Sequence, residues 1–161
     1  MKQIIFTNEQ IQLAKNMAKQ AEIGGVSWVR DKVSRDINLK DDQLVGQLGE
    51  LAASVYLTGS IDCYIQHRTE RNKNPYTGDD GTDIMEYDVK TSLMRYGQDP
   101  TKYNLLVRPR ERGKNKKYLP VFISKDMMTA YIMNAVSDEE LEEKGITDKR
   151  FGNAKCLNMG P

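Results

Sequence analysis

Apolar residues recur first at helical and later at strand spacing along the chain, and the changes of period mark its elements. Thr7-Asn8-Glu9-Gln10 fits a helix N-terminus, with Thr7 as cap and Gln10 as its capping-box partner. Ile11, Ala14, Met17, Ala18 and Ala21 continue at helical spacing, and Gly24-Gly25 predicts the stop. A short helix or turn is expected around Ser27 to Ser34, carrying Trp28, Arg30 and Lys32, with Arg35 just beyond. The strongest helical pattern opens at Lys40-Asp41-Asp42 and runs to about Thr58, with acids near its positive end. Leu44, Leu48, Leu51, Val55 and Tyr56 make its buried stripe, and Gly46, Glu50, Ala53 and Ser54 lie on an adjacent face.

Gly59-Ser60 ends that helix, and Ile61 to Gln66 reads as a strand. A polar loop follows to Gly78, then a turn rich in acids that leads into the alternating segment up to Ser92. Strands are expected at 103–107, at 118–124 and, in preference to a helix, at 130–136. Pro120 marks an edge or a bulge in the second of these. Ser137 caps a last helix to Lys144, closed by Gly145, and the final sixteen residues show no strong period.

The sequence of 161 residues fits one α/β domain, with 39% hydrophobic and 29% charged residues, as ordinary globular proteins have. No apolar run approaches a membrane span, and the first residues lack the apolar core of a secretion signal. Cys63 and Cys156 are far apart and form no ligand-like spacing, which argues for reduced thiols and a cytoplasmic setting. A net charge of +1 gives no global signal for a polyanionic partner, so local charge decides.

The acids concentrate in Gly78 to Ser92. In Asp88-Val89-Lys90 the strand period sends Asp88 and Lys90 to one face and Val89 to the other. A carboxylate beside an ammonium suits chemistry in which a divalent ion such as Mg²⁺ is held next to an attacking water. A second carboxylate comes from Asp83 if the chain folds back between Ile84 and Tyr87, or from Asp80 or Asp79 if it turns earlier. The lone histidine, His67, is expected at a loop or strand end rather than in catalysis.

Asp83 followed by Asp88-Val89-Lys90 resembles the signature of the PD-(D/E)XK nuclease superfamily, with Gly46-Gln47-Leu48-Gly49-Glu50 similar to the helical glutamate many members place before it. No proline precedes Asp83, and only four residues separate it from Asp88, fewer than usual in that family. The resemblance implies a restriction-endonuclease-like core with a mixed sheet of about four to six strands flanked by helices. Its expected parts are an N-terminal helical extension over 1–38, a core over 40–136, and a C-terminal helix and tail over 137–161.

By the same resemblance the chain is a Mg²⁺- or Mn²⁺-dependent endonuclease cutting DNA in restriction, repair, recombination or phage genome processing, expected as a homodimer. Glu50, Asp83 and Asp88 would hold the metal and Lys90 would orient or deprotonate the water. An inactive DNA-binding protein of the same fold and a ribonuclease stand as alternatives. Arg68, Arg71 and Lys73 in the polar loop are candidate phosphate contacts. So are Arg108, Arg110, Arg112, Lys114, Lys116 and Lys117, expected at a basic hairpin tip.

Overall fold

The computed structural model describes residues 1–24, 39–73 and 83–160. The segment around Trp28, the loop ahead of Gly78, and Asp79 and Asp80 lie outside the described residues. The described residues form a mixed α/β fold with four helices and two sheets. No helix among them is long and apolar enough to cross a membrane.

The larger sheet has five strands: β1 (Lys2–Ile5), β2 (Tyr87–Leu93), β4 (Lys117–Ile123), β5 (Thr129–Ile132) and β6 (Val136–Ser137). Their order is β1-β5-β4-β2, with β6 also on β4; β2 runs parallel to β4 and the other pairs are antiparallel. The N-terminal segment, expected as a helical extension, thus supplies an edge strand. The smaller sheet, β3 (Asn104–Val107), β8 (Ala154–Asn158) and β7 (Ile146–Asp148), is antiparallel and takes up much of the C-terminal stretch that lacks a sequence period.

Helix α1 (Asn8–Gly24) starts at the expected cap: the Gln10 N–H donates to Thr7 Oγ1 and the Thr7 N–H to Gln10 Oε1. Helix α2 (Leu39–Thr58) is the centre of the principal core, where Leu48 and Leu51 are joined by Val89, Leu119, Val121 and Ile123 from the sheet. Burial continues round the helix from Gln47 to Ser54 because sheet and helices both cover it, whereas Tyr56, expected in the buried stripe, is exposed. Gly49 lets the helix approach the sheet: a Cβ there would stand 1.8 Å from Thr91 Oγ1. Gly59, at φ 77°, ends α2 and donates its N–H to the Val55 carbonyl.

The expected strand at Ile61 to Gln66 is instead the start of helix α3 (Asp62–Lys73). Ser60 Oγ accepts the Asp62 N–H, so the serine read as part of a stop also begins the next helix. Ile61, Tyr64, Ile65 and Arg68 then recur at helical spacing, with Tyr64 wholly buried. Arg68 and Arg71, expected in a loop, ride on this helix, and Lys73 ends it.

Strand β4 alternates between two cores. Leu119, Val121 and Ile123 face α2, while Tyr118 joins Leu105, Val107, Val136 and Leu141 on the other side. Helix α4 (Asp138–Lys144) closes that second layer, with Ser137 as cap and Gly145 as terminator, as expected. Pro120 lies within a central strand at a bulge. Between Tyr118↔Val136 and Val121↔Ile132, three steps along β4 face four along the partner segment. The Pro120 carbonyl accepts the Met133 N–H on this side, where its own missing donor would also have pointed.

Substituting Gly49→Ala should drive a methyl into Thr91 and cost about 1–3 kcal/mol of stability. Urea denaturation measures it, and an unchanged midpoint would show that α2 can back away from the sheet without loss.

Candidate metal centre

Three elements bring Glu50, His67 and Asp83 together. Glu50 faces out of α2 towards α3, where Tyr64 and Arg68 stand one turn apart. Tyr64 donates its hydroxyl to Gln47 Oε1 at 2.6 Å, and Arg68 binds Glu50 Oε2, so two polar rungs join the helices. Burial pushes the Tyr64 phenol well above its ordinary range and the Glu50 charge adds to it, which keeps the hydroxyl a neutral donor. Burial also works against the charge on Arg68, but Glu50 and then Asp83 more than offset it.

Asp83 reaches the same place through a tight turn. Ile84 and Tyr87 exchange backbone hydrogen bonds across Met85 and Glu86, with Met85 at φ 55°, so the chain does fold back between Ile84 and Tyr87. Asp83 Oδ2 then accepts the N–H of Val89 at 2.9 Å. Its Oδ1 lies 3.7 Å from His67 Nε2, and Glu50 Oε1 lies 3.8 Å from the same nitrogen. One ligand atom from each of the three residues falls within 4.8 Å of the other two. His67, expected at a loop or strand end, lies instead on a helix and beside both carboxylates, because α3 places it one turn after Tyr64 and Cys63.

These separations exceed hydrogen-bond length and are close to the roughly 3–4 Å that keeps two ligands apart on one cation with bonds of about 2.0–2.2 Å. Two carboxylates and an imidazole are a donor set that fits a divalent ion. Side-chain exposures of 8%, 18% and 11% for Glu50, His67 and Asp83 leave the three groups largely shielded from water.

Asp88 belongs to a different cluster. It is paired in register with Tyr118, on the opposite face of β2 from Val89 and α2. Lys90 Nζ lies 3.2 Å from Asp88 Oδ2 and donates to Glu111 Oε2 at 2.6 Å, while Lys116 Nζ lies 3.4 Å from Asp88 Oδ2 and donates to the Glu111 carbonyl. Glu111 is delivered by a single 3-10 turn, Pro109–Glu111, where its Oε1 also accepts the Arg108 N–H. Burial pulls the Lys90 ammonium down, but Asp88 and Glu111 outweigh it and leave its pKa raised. Lys90 is therefore held as a cation, which suits charge stabilisation and not proton removal. Burial alone would raise Glu111, yet Lys90 and the Arg108 N–H hold it below its ordinary range.

The basic stretch is not a hairpin tip, because β3 pairs with β8 and β4 with β2. It crosses from one sheet to the other, and Arg112, Lys116 and Lys117 in it meet acids of the same chain. Arg112 binds Asp138 and Glu142, Lys116 binds Asp88, and Lys117 binds Glu86. Lys114 and Arg110 are exposed. Arg68 is likewise turned inward, to Glu50.

Compared with protein-family models, with curated proteins and with solved structures, the chain matches none.

The Lys90–Glu111 pair has a defined pH window. A raised Lys90 pKa contributes stability in full below the ordinary 10.5 and loses it as pH rises through the raised value. A lowered Glu111 pKa contributes in full above the ordinary 4.5 and loses it as pH falls through the lowered value. Glu111→Gln should therefore cost about 1–3 kcal/mol near neutral pH, with the gap from the parent closing at both the acid and the alkaline end. Denaturation curves across pH check this, and a gap that does not change with pH would mean the pair contributes no charge-dependent stability.

Proposed function

We propose that this chain is a divalent-metal-dependent nuclease acting on DNA, built on a restriction-endonuclease-like core of the PD-(D/E)XK kind. One contact carries the reading. The Asp83 carboxylate takes the N–H of Val89, the residue between Asp88 and Lys90, so the Glu50–Asp83 side and the Asp88–Lys90 side meet across a single strand. The residue order Glu50, Asp83, Asp88-Val89-Lys90 adds the family resemblance.

Phosphodiester hydrolysis needs a made nucleophile and a place for developing negative charge. A divalent ion at Glu50 and Asp83 would supply an activated water and draw charge from a phosphate oxygen. Lys90, kept as an ammonium, offers its charge to the phosphate, and Asp88 holds both Lys90 and Lys116 where they can act on one anion. Exposed Arg110 and Lys114 extend the positive surface along a backbone.

The internal pairing of Glu50 with Arg68 and of Lys90 with Glu111 favours one rival, a nucleic-acid-binding protein of the same fold without catalysis. Incubation of supercoiled, linear, single-stranded and branched DNA with Mg²⁺ or Mn²⁺ separates the two. Cleavage is expected, reduced about 100-fold or more in Lys90→Ala and by at least as much in Asp88→Ala, which releases both lysines. Absence of cleavage on every substrate, or cleavage that both variants retain, sinks the proposal.

A further inference from the structure

We infer that Glu50, His67 and Asp83 bind a borderline divalent ion such as Co²⁺ or Zn²⁺ through the imidazole itself, and that Mg²⁺ is the poorer fit. The inference rests on the metal half of the reading above and is independent of DNA hydrolysis.

In each carboxylate of the cluster one oxygen is held by a hydrogen bond or ion pair and the other faces His67. Glu50 gives Oε2 to Arg68 and faces His67 with Oε1. Asp83 gives Oδ2 to the Val89 N–H and faces His67 with Oδ1. Outer bonds of this kind fix the direction of metal ligands before the metal arrives. They come here from two unrelated elements, a helix and a strand backbone, and they converge on one nitrogen.

The donor set then selects the ion. Imidazole binds Co²⁺ and Zn²⁺ well, whereas Mg²⁺ takes oxygen ligands and gives up its water reluctantly. Charge acts in the same direction. Arg68 cancels one of the two carboxylates, so with a neutral imidazole the local sum is about −1. That weakens the electrostatic pull on which Mg²⁺ depends and leaves the nitrogen bond to decide. Three acids around one hard ion, as the sequence suggests, would have led to the opposite preference.

The test uses the full chain and the ions alone. Titration calorimetry should show Co²⁺ and Zn²⁺ binding at least about 10-fold more tightly than Mg²⁺, with His67→Ala removing most of that advantage. Because the chain has a single histidine, Co²⁺-loaded unmodified protein should show paramagnetically shifted proton resonances from one imidazole ring, which needs no variant to fold. Equal or tighter Mg²⁺ binding, or ring protons unshifted by Co²⁺, overturns the inference. If Mg²⁺-driven, Asp88-dependent DNA cleavage persists in that case, only the role of His67 fails. If no divalent ion binds, the metal site and the nuclease reading fail together.

Discussion

A carboxylate sealed among helices has to be answered by positive charge, and for Glu50 the answer is Arg68. Removing either partner would leave the other buried and uncompensated, a change that costs about 3–5 kcal/mol in comparable pairs. The pair also decides geometry. It fixes α3 against α2 in one register, with the Tyr64–Gln47 bond a turn away as the second rung. That register puts His67 in front of Glu50, and the turn between Ile84 and Tyr87 brings Asp83 to the same place.

The central sheet divides the remaining chemistry. On one side of β2, helices bring a carboxylate and an imidazole to the strand edge; on the other, Asp88 and Glu111 share two ammoniums from Lys90 and Lys116. The second group sums to zero charge, and the first to about −1 while the imidazole is neutral. A polyanion approaching β2 would thus meet little net repulsion from the acids. Its attraction would come from cations that can exchange one carboxylate partner for a phosphate.

What was legible in the sequence was local. Thr7 with Gln10, Ser137 with Gly145, and the long pattern from Lys40 to Thr58 all carry their stabilising partners within a few residues. The alternation through Asp88-Val89-Lys90 was legible for the same reason, and so was the need for a reversal between Ile84 and Tyr87. The helix at Asp62 was not, because Ile61 to Ile65 is too short an apolar stretch to separate the two periods, and a serine that ends one helix can cap the next. His67 was lost with it. The basic stretch showed its sign but not its partners: Asp138 and Glu142 lie 26 and 30 residues beyond Arg112, at a distance only the folded chain closes.

The bulge opposite Pro120 changes which way a strand looks. Ile132 and Val136 are an even number of residues apart and in a regular strand would share a face. With one residue inserted between their pairing sites the phase inverts, and Ile132 goes to the core beneath α2 while Val136 goes to the layer shared with α4. A single ring without a donor thereby lets one short segment stitch two separate hydrophobic layers.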